Sequence, residues 1–236
     1  MKEEVSMPDC LDALIVAHGQ PSAPAPAEVA LARLATEVAR LLPAQRIGSA
    51  TLAAAGALEA ALERLGTDGV IYPFFMADGW FVRQALPKRL NGHPARVLPP
   101  LGRDSALVDL AAEHLMQECA VRGWEPAETA LLIAAHGSAR GPRAAAAARD
   151  FGAALAALWP GRSPVYGFVE EAPYLVQSAR DLPEQTLCLP VFAAEGGHYR
   201  QDVPEALDQA GFPGALLPPL GQHPGVPALI AAAISG

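Results

Sequence analysis

Leu14-Ile15-Val16-Ala17-His18-Gly19 and Leu132-Ile133-Ala134-Ala135-His136-Gly137 are two versions of one phrase, set half a chain apart in a sequence of 236 residues. Each is a short, uninterrupted apolar run, the pattern of a strand buried on both faces of a parallel sheet. Each ends in His-Gly and leads into an alanine-rich stretch of helical composition, residues 27–42 and 143–159. Other blocks repeat in the same frame. Pro73-Phe74-Phe75-Met76-Ala77-Asp78-Gly79 returns as Pro190-Val191-Phe192-Ala193-Ala194-Glu195-Gly196. Val82-Arg83-Gln84 and Pro87 match Tyr199-Arg200-Gln201 and Pro204, and Leu98-Pro99-Pro100-Leu101-Gly102 matches Leu217-Pro218-Pro219-Leu220-Gly221. Matched blocks in one order at nearly one offset indicate an internal duplication.

The duplication predicts two similar domains, 1–124 and 125–236, with a seam near Arg122-Gly123-Trp124-Glu125-Pro126. Within each, strands alternate with helices. Strands are expected at 13–17, 46–52, 69–75 and 96–98, and again at 130–135, 164–169, 186–192 and 215–217. Further helices are expected at 82–90, 105–121, 200–210 and 226–234, and the one at 105–121 can pack on either domain. This rhythm predicts an α/β fold: two tandem, open parallel-sheet, flavodoxin-like domains with helices on both faces, facing a cleft.

Composition narrows the function. Hydrophobic residues make up 51% of the chain and charged residues 18%, enough apolar material for a sizeable core and incompatible with wholesale disorder. A net charge of −8 argues against a general affinity for nucleic acid, which needs a basic face. The cysteines (Cys10, Cys119, Cys188) are far apart and form no thiolate zinc motif. No apolar run is long enough to cross a membrane, and the opening residues do not read as a secretory signal, so a cytoplasmic protein is expected. Neither a Walker loop nor a GxGxxG turn occurs, and no organic cofactor is expected.

In an open α/β sheet, ligands bind beyond the carboxyl ends of the strands. In the second half those ends present His136, Glu170 and, a few residues past the third strand, His198. Two imidazoles and a carboxylate suit a divalent first-row transition metal, and neutral imidazole also accepts protons near neutral pH. The first half is an internal control. It keeps His18 but has Phe81 where His198 would stand, and Ala54 or its neighbour where Glu170 would stand. Residues needed only for folding would recur in both halves, so the difference points to chemistry in the second half and a degenerate site in the first. Glu171 should point to the opposite side of an extended segment and is the weaker candidate. His93 and His223 lie in turn sequences, His114 reads as a solvated-face residue, and Met76 and Trp80 as wall or core. Arg140 and Arg143 either grip carboxylates or are helix-entry arginines in solvent.

Ala-His-Gly-Ser at 135–138, Val-Glu at 169–170, and Pro-Val-Phe-Ala-Ala-Glu-Gly-Gly-His at 190–198 followed by Asp202-Val203-Pro204 resemble the CbiX-type sirohydrochlorin chelatases. These are class II tetrapyrrole chelatases, with the CbiK-type cobaltochelatases and protohaem ferrochelatases. The resemblance covers both halves and implies a chelatase-like fold. It implies ATP-independent insertion of a divalent metal, Co2+ ahead of Fe2+, into sirohydrochlorin or a similar ring on the way to cobalamin or sirohaem. It makes His136 and His198 the active-site histidines and metal ligands, with Glu170 as their acidic companion; metal and tetrapyrrole are the substrates. Some two-domain CbiX-type proteins carry the histidine pair in their first half; this chain carries it in the second, as CbiK-type enzymes do. Arg140, Arg143, Arg200, Ser138 and Gly197 are candidate contacts to a carboxylate-rich ring, with His18, Phe81 and Arg83 as further candidates. The chain already supplies both domains, so monomer and homodimer are both open. Two competing readings are a metal or tetrapyrrole carrier without turnover and a sugar- or nucleotide-binding α/β protein with incidental histidines.

Overall fold

The computed structural model describes residues 10–138 and 141–236, and of His198 the backbone alone. Among the described residues eight parallel strands form two four-stranded sheets. The first contains β1 (Leu11–Ala17), β2 (Ile47–Thr51), β3 (Leu65–Pro73) and β4 (Arg96–Val97) in the order β2-β1-β3-β4. The second contains β5 (Ala130–Ala135), β6 (Val165–Phe168), β7 (Thr186–Pro190) and β8 (Ala215–Leu216) in the order β6-β5-β7-β8. The central strands are those with continuous apolar sequence. Leu14, Ile15 and Val16 are fully buried, and all six residues of β5 are buried. In this order the chain reverses direction across the sheet between β1 and β3, and between β5 and β7, which makes the carboxyl ends of those strands the topological switch points.

The connecting helices are α1 (Pro24–Leu41), α2 (Ala57–Arg64), α3 (Leu86–Leu90), α4 (Ser105–Arg122), α5 (Arg143–Ala156), α6 (Leu175–Ser178), α7 (Val203–Ala210) and α8 (Val226–Ser235). The short α2 and α6 were not expected from the sequence. Local chemistry sets their ends: Asp104 accepts a hydrogen bond from the Ala106 N–H (2.9 Å) to start α4, and Gly123, at φ +67°, ends it.

The helices expected at 82–90 and 200–210 each begin differently. A π-helical turn, Phe81–Ala85 or His198–Asp202, precedes α3 or α7. The Leu86 N–H reaches back five residues to the Phe81 carbonyl. Pro87 and Pro204 supply the reason: each lacks an N–H, and its ring crowds the carbonyl four residues earlier, so the preceding turn widens. Phe81 and His198, matched in sequence, are also matched in structure as the first residues of these turns.

The chain gathers into two compact units whose limits differ from the repeat boundary expected near residue 124. One holds the described chain up to Phe74, Trp80–Pro99 and Pro227–Gly236; the other holds Phe75–Gly79 and Pro100–Val226. Thus α4, the last helix of the first repeat, belongs to the second unit. Its buried stripe is Leu107, Ala111, Leu115 and Cys119, and the Cys119 thiol lies 3.7 Å from Thr129 Oγ1 just before β5. Leu110 sits so close to Gly225 that an added Cβ there would lie 2.6 Å from Leu110 Cδ1. From Pro227 onward α8 belongs to the first unit, with Ile230, Ala231 and Ile234 buried. Each unit has its own core, around Leu14, Val16, Ile71 and Leu86 in one and Leu132, Ala134, Cys188 and Val203 in the other. No helix among the described residues is long and apolar enough to cross a membrane.

Candidate functional site

Strand register aligns the repeats residue by residue. Ala17 pairs with Thr51 and Ala135 with Phe168 at the ends of β1/β2 and β5/β6. One step further, the Ala53 N–H donates to the His18 carbonyl and the Glu170 N–H to the His136 carbonyl, both at 2.9 Å. Ala53, the neighbour of Ala54, is therefore the counterpart of Glu170, and Ala54 is the counterpart of Glu171. The same backbone frame carries His beside Ala in the first repeat and His beside Glu in the second.

Both histidines share one local geometry. His136 Nδ1 lies 2.9 Å from the Gly137 carbonyl oxygen, and His18 Nδ1 lies 2.6 Å from that of Gly19. A carbonyl oxygen can only accept, so in each case the ring proton belongs on Nδ1 and the basic lone pair on Nε2. At His136 a carboxylate also stands on this side of the ring: Glu170 Oε2 lies 3.6 Å from Nδ1. The side chains of His136 and Glu170 are 43% and 39% exposed, so a solute reaches both. A carboxylate on the Nδ1 side of an imidazole orients the ring.

Glu170 and Glu171 lie in the bend that follows β6, not in the extended segment expected of them. The Glu171 Oε1 accepts from the Ser138 N–H at 2.7 Å. Gly137, at φ +68°, makes this approach possible: a Cβ there would lie 2.8 Å from Glu171 Cγ and 2.9 Å from Oε1.

The other candidates divide as follows. In the first unit Phe81 meets His18 edge-on, ring centroids 4.1 Å apart, and Trp80 in turn meets Phe81 at 5.1 Å. Trp80, expected as wall or core, is 54% exposed. Arg200 is exposed but bonded to Glu195, its Nη2 3.1 Å from Oε2. Glu195 is also clasped by Gln222, whose amide donates to Oε1 and accepts from the Glu195 N–H, each at 3.1 Å. The loop leading through Gly197 to His198 is thereby fastened to the 3₁₀ turn Leu220–Gln222, where the Gly221 N–H also donates to the Phe192 carbonyl (2.9 Å). Arg143 is exposed at the start of α5, and Arg83 is exposed in the π-helical turn before α3. Arg140 lies outside the described residues, as does the side chain of His198. Among the described residues no three His, Cys, Asp or Glu side chains gather to hold a metal ion.

His114, expected on a solvated helix face, is instead partly buried against His223, with ring centroids 4.7 Å apart and an interplanar angle of 64°. His223 Nδ1 accepts from the Gly225 N–H at 3.1 Å. Burial and the neighbouring His223 push the His114 pKa down, and burial does the same at His223. The sequence held no signal for this pair, because 109 positions separate the two rings.

The family model CbiX matches residues 12–118 and again 130–235. A solved structure described as CbiX, the terminal enzyme for biosynthesis of siroheme in denitrifying bacteria, is 48% identical, with a TM-score of 0.87 over 95% of this chain and 98% of that one. A multi-domain protein of Deinococcus radiodurans, described as structurally similar to chelatases, is 21% identical at a TM-score of 0.71; the match covers 96% of this chain and 55% of that one. SirB from Bacillus subtilis, solved with Fe3+, is 16% identical at a TM-score of 0.71, covering 94% and 93%. The last two share the fold. No curated protein sequence matches the chain.

Proposed function

Because this chain belongs to the CbiX family, we propose that it inserts a divalent metal into sirohydrochlorin or a closely similar tetrapyrrole, using the second repeat. The observation that carries this reading is the His136–Glu170 pair, built at a register where the first repeat has His18 and Ala53.

Insertion requires the ion to lose water, the ring to lose two pyrrole N–H protons, and the ring to bend toward the metal. Nε2 of His136 presents a lone pair that can hold the ion or take a proton. In either role the imidazole acquires positive charge, and Glu170 beside Nδ1 stabilises that charge at 3.6 Å. In this reading Glu170 acts first on His136, and through its exposed carboxylate passes a proton to solvent. His198 supplies the second imidazole, on the loop held by the Glu195–Gln222 clasp. Arg140, Arg143 and Arg200, with Ser138 and Gly197, are proposed to meet the ring carboxylates. Arg200 would then exchange Glu195 for a substrate carboxylate.

The 48%-identical relative is named for siroheme, an iron complex, which favours Fe2+ over the Co2+ that the sequence reading puts first. The test is incubation of the protein with excess sirohydrochlorin and either Fe2+ or Co2+, followed by absorbance, beside His136→Ala and His198→Ala. Many turnovers by the wild type, lost in both variants, are expected, and the two rates rank the metals. One equivalent of metal or ring bound without turnover would establish a carrier instead.

A further inference from the structure

The Gly137–Ser138 peptide is held at both ends. Its carbonyl oxygen faces His136 Nδ1 at 2.9 Å, and its N–H donates to Glu171 Oε1 at 2.7 Å. These two groups belong to one planar unit, so fixing the N–H fixes the direction of the carbonyl. The hydrogen bond to a carboxylate is charge-assisted, and it polarises the peptide so that its oxygen becomes a better acceptor. We propose that Glu171 is a positioning residue for His136, acting through the Gly137–Ser138 peptide to hold the imidazole in the tautomer that leaves the lone pair on Nε2. This rests on the proposed use of His136.

The first repeat separates the contact from the carboxylate: the ring meets the carbonyl there without one, so what Glu171 adds is a fixed and polarised peptide. His18 meets the Gly19 carbonyl in the same way, but Ala54 stands at the register of Glu171 and has no carboxylate to offer. There the open side of Gly19, at φ +76°, is covered by Thr51 and Ala53, whose atoms lie 2.7–3.0 Å from where a Cβ would be. The second repeat has Phe168 and Glu171 around Gly137. The tandem carboxylates therefore divide the work around one histidine: Glu170 flanks the ring nitrogen directly, and Glu171 reaches it through a single amide plane.

The test compares Glu171→Met, which keeps length and removes the oxygens, with Glu171→Gln, which keeps an acceptor. Three quantities are read: the Ser138 amide proton shift and exchange rate, kcat and KM for metal insertion, and the dissociation constant for Co2+ without the ring. In Glu171→Met the Ser138 amide should move upfield and exchange faster. The kcat should fall about 10–100-fold with KM within about twofold, and Co2+ binding should weaken to a similar degree. Glu171→Gln should restore most of each. An unchanged kcat and Co2+ affinity in Glu171→Met, with the Ser138 amide deprotected, would overturn the proposal. So would a loss that Glu171→Gln fails to rescue although its Ser138 amide remains bonded. Should Glu171→Met fail to fold, Glu171→Ala takes its place with the same expectations. If the wild type shows no insertion, the proposed function fails, but the Co2+ and amide measurements still decide the role of Glu171.

Discussion

The alanine substitution of Gly221 separates stability from chemistry. Gly221 does not adopt a left-handed φ, so backbone strain plays no part, and the cost is steric. A Cβ there would lie 2.2 Å from the Ala193 carbonyl oxygen and 2.6 Å from its carbonyl carbon, whereas ordinary contact begins at 3.4 Å. The obstruction is main chain and cannot rotate away. The loop after β7 must therefore retreat by about 1 Å, a kind of overpacking that costs about 1–3 kcal/mol. For a chain of this length each kcal/mol lowers the melting temperature by about 2–4 °C. That loop carries Glu195 and Gly197 toward His198, and a shift of about 1 Å in a reacting group can cost about 10²-fold in rate. Gly102 is the twin control. It occupies the same place in the Leu-Pro-Pro-Leu-Gly block, its N–H donates to the Phe75 carbonyl at 3.0 Å, and its Cβ would meet the Met76 backbone, which also has no room. Gly221→Ala and Gly102→Ala should lose similar stability in thermal melts. At 25 °C only Gly221→Ala should lose about two orders of magnitude in kcat for metal insertion. A destabilised Gly221→Ala with wild-type kcat would refute the reasoning, as would an equal loss of kcat in Gly102→Ala.

Two other outcomes follow from the same geometry. Burial of both rings, with His223 beside His114 adding to it, disfavours their protonation, so the unfolded chain binds more protons than the folded one below the ordinary imidazole value of 6.5. The contribution is complete above that pH and is lost as pH falls through the lowered native values. Denaturant melts between pH 7.5 and 5 should show this loss, and His114→Leu with His223→Asn, which keeps an acceptor for the Gly225 N–H, should flatten it; a slope identical to wild type would exclude the pair as its source. In the first repeat Phe81 already meets His18 at 4.1 Å. Phe81→His combined with Ala53→Glu should therefore add a second equivalent of Co2+ in calorimetric titration, and binding of no additional ion would show that the first frame cannot be converted by these residues.

The duplication, the eight strands and the placement of His136 and Glu170 at strand ends were all readable from the sequence. Short apolar runs fix parallel strands, and a residue just past such a run has one place to go. Counting along the two repeats also placed the missing carboxylate at Ala54 or its neighbour, but only hydrogen-bond register selected Ala53. The π-helical starts of α3 and α7 were written in Pro87 and Pro204, yet a periodicity reading treats those segments as plain helix. His114 shows the other limit. On its helix it reads as a solvated-face residue, and only the chain returning at His223 covers it.

By itself the sequence determined two copies of one α/β unit, with a His-Glu pair present in the second and absent from the first. These properties are local: strand burial, turn chemistry and residue identity at matched positions. Tertiary structure decided that α4, which the sequence leaves free to pack on either domain, joins the second unit, and that α8 from Pro227 onward joins the first. It also decided the roles of neighbouring carboxylates. Alternation along an extended chain predicts opposite sides for Glu170 and Glu171, but they lie in a bend, and the fold brings the Ser138 amide to meet Glu171 and the His136 ring to meet Glu170.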